Sequence, residues 1–178
     1  MNQIDTDKVS GAEVWRLSDD LRPTDNIYGE QPYGSADGTR LALRHYATPE
    51  TDGGLSILDL NDGSSHPIIE TAPRFPAFHG CNEYLYCQQQ QGDQLILCRW
   101  HYGSLDREEI LPLPQQEGRF SYGTVSGDHQ HYAVCVHNEG APCRVLHFDL
   151  ASGKSQTLIT SADHYFKHEQ FSGTDRTL

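Results

Sequence analysis

The chain lacks any run of 18 apolar residues, so no membrane-spanning helix is expected. It has one methionine and five cysteines, none of them in a C-x-x-C spacing. That odd set (Cys81, Cys87, Cys98, Cys135, Cys143) argues against a zinc ribbon or a disulfide framework. Reduced, half-buried strand residues are expected instead. There is no G-x-S-x-G, P-loop or G-x-G-x-x-G, which removes support for hydrolase-elbow and nucleotide-binding readings. Cations are scarce, with 13 Lys and Arg against 25 Asp and Glu and a formal charge of −12 over 178 residues. This balance argues against a general nucleic-acid or anionic-membrane surface. A small anionic ligand stays open where a few arginines or a metal invert the field locally. The opening MNQIDTDKVSGAEVW has no apolar core of the secretory type, and a cytoplasmic location is expected.

What is plentiful is glycine, proline and tyrosine, a mix that suits short strands joined by turns. The strands recur. YGSADGTRLAL (33–43), FHGCNEYLYC (78–87), TVSGDHQHYAV (124–134) and QFSGTDRTL (170–178) align on Ser35, Gly80, Ser126 and Ser172, at intervals of 45, 46 and 46. A second element recurs as LSILDLNDGSS (55–65), QLILCRWHYGS (94–104) and RVLHFDLASGKS (144–155). Asp59 and Asp149 lie 90 apart, and Gly103 is taken as the middle counterpart of Gly63 and Gly153. Each unit spells strand, tight turn, strand, loop, strand, turn, strand, which is the arithmetic of a β-propeller blade. A β-sandwich with coincidental spacing is the alternative.

The expected organisation is an isolated closing strand in 12–21 and blades over 28–72, 73–118 and 119–164. Residues 165–178 would open a fourth blade. Three blades and the first strand of another do not close a ring. The chain is therefore expected to be the front part of a longer propeller.

The strand before each S-x-D-G turn is expected to line the ring axis. This brings forward Gln31 and Tyr33, Pro76 and Phe78, Tyr122 and Thr124, and His168 and Gln170, each pair on one strand face. His168 and Gln170 form a pair with metal-binding capacity, although H-x-Q alone also suits a metal-free channel lining. Arg74 and Arg119 stand just upstream of inner strands, placed to reach a channel mouth or to pair on the surface. His129 and His131 follow the Gly127-Asp128 turn and are expected in solvent. The remaining histidines look scattered.

VWRLS, SADGTRLAL, the L-D-L-x-x-G unit, GRFSYGTVSGD and above all HEQFSGTD together resemble the oligogalacturonate lyases, a propeller family related to TolB-like proteins. The resemblance spans nearly the whole chain. It implies a Mn²⁺ cofactor and β-elimination on anionic oligogalacturonides, with His168 as a metal ligand and Gln170 as a second ligand or a partner that orients one. Arg119 would be the charge-neutralising arginine and Tyr122 a catalytic candidate, since the strand Phe120–Thr124 carries no histidine to serve as base. Gln31 and Arg74 are the candidate substrate-binding residues. The implied chemistry builds enolate charge on a uronate carboxylate, which cations on its oxygens stabilise. A non-catalytic TolB-like or WD40-like propeller, binding a ligand or a protein, is the competing expectation.

Overall fold

A computed structural model describes residues 2–18, 23–27, 32–48, 53–70, 78–114, 118–121 and 123–172, with the side chains of Phe78 and His79 also outside it. Among the described residues every regular element is a strand, and none forms a helix long and apolar enough to cross a membrane. The first two strands, β1 (Asn2–Thr6) and β2 (Glu13–Arg16), pair with each other as an exposed antiparallel hairpin. The segment expected to be a solitary strand thus has a partner in β1.

Three antiparallel meanders follow. The first runs through β3 (Thr24–Asn26), β4 (Arg40–His45), β5 (Gly54–Asp59) and β6 (Ser65–Ile69). The second contains β7 (Phe78–Cys81), β8 (Tyr84–Gln91), β9 (Gln94–His101) and β10 (Arg107–Leu113). In the third, β11 (Arg119–Phe120) and β12 (Thr124–Val125) both pair with β13 (His131–His137), followed by β14 (Cys143–Asp149) and β15 (Ser155–Ser161). The last strand of each meander carries one extra residue at the same relative place. Ile68, Ile110 and Leu158 are the positions at which the ladders to β5, β9 and β14 slip.

The meanders pack face to face because their middle strands are apolar on both sides. On β8, Leu85 and Cys87 join Ile27, Ala42, Leu55 and Ile57 in one core, with Trp100 and Tyr102 from the second meander. Tyr86, between them in sequence, points the other way into a second core with Tyr132, Val134, Leu146 and Phe148. Period-two alternation thus places successive residues in different inter-sheet cores. Polar bridges reinforce both seams. Gly80 N–H donates to Pro32 O at 2.8 Å, and Gln88 Nε2 donates to Ser121 O at 2.9 Å and to Tyr132 Oη at 2.7 Å.

The turn after each third strand explains why the middle repeat looks diverged. Asp59 Oδ1 accepts the Asn61 N–H, and Asp149 Oδ1 accepts the Ser152 N–H. In the second meander His101 takes that place, its Nδ1 accepting the Gly103 and Ser104 N–H groups at 3.1 and 3.0 Å. The residue four further on has positive φ in all three: Gly63 at 76°, Leu105 at 64° and Gly153 at 69°. Leu105, rather than Gly103, is therefore the counterpart of the two glycines. Its partly buried side chain packs on the first core, offsetting a left-handed backbone that costs a non-glycine residue of order 1 kcal/mol.

Candidate functional site

The third meander has a gap in its innermost strand. β11 pairs with Val136 and His137, and β12 pairs with Tyr132 and Ala133. Ser121 N–H reaches Cys135 O at 2.8 Å, while Gly123 N–H and Cys135 N–H donate to side chains. Buried backbone donors require an acceptor. Glu169 supplies it. Its Oε1 accepts from Gly123 N–H at 3.2 Å, from Cys135 N–H at 3.0 Å and from the Ser121 hydroxyl, while Oε2 lies 3.1 Å from Cys135 Sγ. Burial, with the Glu169 carboxylate beside it, pushes the Cys135 thiol well above its ordinary range.

Glu169 is one of several pins that hold residues 161–172 along this sheet without a strand ladder. Ser161 Oγ accepts from Asp163 N–H and His164 N–H, starting the segment with a tight bend. Tyr165 then stacks on His137, with ring centroids 3.8 Å apart and planes within 17°. Phe166 N–H points at Cys143 Sγ at 3.5 Å, and the same sulfur lies 3.2 Å from His137 Nδ1.

Two cations of this cation-poor chain come near His137. Arg119 is its register partner across β11 and β13, and it is exposed. Lys167 Nζ lies 5.1 Å from the centre of the Tyr165 ring that covers His137. The His137 pKa is lowered by burial first and also by the charges of Lys167 and Arg119, while Glu169 opposes them. Arg119 and Lys167 are thus two exposed cations near the Tyr165-covered His137, with the Glu169 carboxylate turned into the sheet, a local setting that can receive a carboxylate ligand.

His168 and Gln170 flank the pinned Glu169 and are both exposed, with His168 in the left-handed region at φ 61°. They adjoin the cationic surface through Lys167. Tyr122, Gln31 and Arg74 lie outside the described residues. Thr124 is buried, and Tyr33 is packed against the first core. Lys167, His137 and Glu169 were missed by the sequence reading. The available signal was the H-E-Q triplet itself, whose central acid, on a strand-like alternation, faces opposite to its neighbours.

Two further histidines are placed differently from the sequence expectation. His129 is half-buried between the second and third meanders, stacked on Tyr86 at 5.9 Å and accepting or donating at 2.9 Å to its hydroxyl. His131 and His147, which looked unrelated, meet across β13 and β14.

As to a metal, among the described residues no three His, Cys, Asp or Glu side chains are arranged to hold one. His168 and Gln170 alone do not make up the set of protein ligands that a bound catalytic metal ordinarily has. The described residues therefore do not fit a complete Mn²⁺ centre.

The three stacked meanders are blades of a β-propeller, incomplete as a ring. Solved structures place the fold more narrowly. An oligogalacturonate lyase in complex with manganese superposes with a TM-score of 0.71 at 16% identity, over 96% of this chain and 50% of that one. An oligogalacturonate lyase from Vibrio parahaemolyticus gives 0.67 at 12% identity, over 88% and 46%. TolB from Acinetobacter baumannii gives 0.57 at 14% identity, over 87% and 37%. The chain thus spans about half the length of the two lyases. No protein-family model and no curated protein matches it.

Proposed function

We propose that this chain is part of an oligogalacturonate-lyase-like propeller that binds short galacturonate oligomers through the surface of Arg119, His137 and Lys167. The observation that supports this is the exposed pair Arg119 and Lys167 near His137, in a chain of net charge −12 whose fold follows the lyases over almost its whole length. Arg119 and Lys167 would hold a uronate carboxylate. In β-elimination that carboxylate gains enolate charge as the neighbouring proton leaves, so cations held against its oxygens favour the transition state over the ground state. Glu169 acts indirectly, fixing the segment that presents Lys167, His168 and Gln170. Metal-assisted cleavage with Mn²⁺ belongs to the same proposal, with His168 and Gln170 as two ligands and the others supplied outside the described residues. So does a cytoplasmic location, which rests on the sequence alone.

A non-catalytic ligand- or protein-binding propeller is the second reading, and the TolB likeness supports it. Calorimetric titration with digalacturonate and with neutral digalactose tests the first. The acidic sugar is expected to bind at least tenfold tighter, with each of Arg119→Ala and Lys167→Ala weakening it fivefold or more. Equal affinity for the two sugars, or no effect of either substitution, would refute the site. Keto-uronate release with added Mn²⁺, lost on chelation and in His168→Ala, then separates a lyase from a binder.

A further inference from the structure

On the third meander, β13 and β14 bring His131 and His147 to one face of the sheet, since His131 pairs with Asp149 and Ala133 with His147. The opposite face carries Tyr132, Leu146 and Phe148 into the core, which fixes the strand pleat and hence the histidine direction. His147 Nε2 and His131 Nδ1 stand 3.2 Å apart, with ring centroids at 5.0 Å and planes tilted by 36°. Two imidazole nitrogens bound to one tetrahedral ion at ordinary Zn–N distances are about 3.3 Å apart. The pair is thus already spaced for chelation. Both rings are half-exposed, leaving room for water to complete the coordination.

The surroundings support an ion there. The other nitrogen of His147, Nδ1, lies 3.4 Å from Gln156 Nε2 on β15, so turning that amide over would set its carbonyl oxygen where an outer partner accepts from a ligating imidazole. Asp149 contributes negative charge felt by both rings, although its own Oδ1 is taken up by Ser152 N–H and Oγ.

We propose that His131 and His147 form a two-histidine site for a borderline transition-metal dication of the Zn²⁺ kind, with water in the remaining positions. The site lies on residues distinct from the cationic surface around His137. With an ion on His131 Nδ1 and His147 Nε2, each ring keeps one proton on its far nitrogen: the proton now between the rings moves there through solvent with no net release, and the Gln156 amide turns so that its carbonyl oxygen accepts from His147 Nδ1–H. Imidazole ligands favour Zn²⁺, Ni²⁺ or Cu²⁺ over hard ions such as Mg²⁺.

The test is titration of the whole chain with ZnCl₂, and separately with MgCl₂, followed by calorimetry and by the histidine ring resonances. Zn²⁺ is expected to bind in one equivalent that shifts the His131 and His147 resonances, and Mg²⁺ to leave them unmoved. His131→Ala and His147→Ala should each weaken that equivalent at least tenfold, while His164→Ala leaves it intact. Unshifted His131 and His147 resonances in the native chain would overturn the proposal, whatever the folding of the variants. So would Zn²⁺ affinity retained in either variant.

Discussion

Replacing Glu169 by alanine removes the acceptor for the N–H groups at the break in the third inner strand. Gly123 N–H loses its carboxylate partner outright, whereas Cys135 N–H keeps Ser121 Oγ at 3.1 Å. A buried donor left unsatisfied costs about 1–3 kcal/mol, and the retained bond limits the second loss to a few tenths. The substitution also relieves the desolvation of a half-buried carboxylate. A net loss of about 2 kcal/mol is expected, which lowers the melting temperature by roughly 4–8 °C for a chain of this size. Amide hydrogen exchange gives the sharper reading. Two kcal/mol of lost protection is roughly a 30-fold faster exchange at Gly123 and Cys135. Glu169→Gln, which retains one accepting oxygen, should fall between, and His168→Ala should move stability by less than about 0.5 kcal/mol. If Glu169→Ala leaves both exchange rates within threefold of the native values, the carboxylate is not what satisfies this break.

Stability should fall as pH is lowered from 7 toward 5. His129, His137 and His147 all have folded pKa values below the ordinary 6.5, each chiefly through burial. The unfolded chain therefore takes up protons first, so their stabilisation is complete above that value and declines below it; urea midpoints across this range check the sign, and His129→Asn should flatten the slope. Replacing His101 by aspartate should be tolerated, because a carboxylate serves the same turn in both neighbouring repeats, whereas His101→Leu should cost about 0.5–1 kcal/mol by removing the turn's bonds to the exposed Gly103 and Ser104 N–H groups, both read by urea unfolding. Gly80→Ala should destabilise by about 1–3 kcal/mol, since a Cβ there would stand 2.9 Å from Pro32 O and 3.1 Å from Tyr102 Oη, parting the first two blades.

The blade rhythm was legible because D-G turns and alternating apolar residues are local signals, repeated often enough to reveal a period. The equivalence of His101 with Asp59 and Asp149 was not, because an imidazole and a carboxylate share only their ability to accept a hydrogen bond. Leu105 hid the matching turn for the same reason: its left-handed backbone is maintained by packing, which the sequence does not spell out. In the candidate site, HEQ marked the right segment. Its inward anchor and the approach of Lys167 and His137 depend on a chain reversal around Ser161 that brings distant residues together. The meeting of His131 with His147 likewise needed the β13–β14 register.

The slipped residues Ile68, Ile110 and Leu158 have a consequence for behaviour at high concentration. Each sits on the outermost strand of its blade, where a flat row of free amides and carbonyls would recruit a strand from another molecule. An inserted residue coils that rim and throws its donors out of step with any straight partner. The same irregularity, copied three times, guards the periphery against fibril growth while the seams between blades stay apolar.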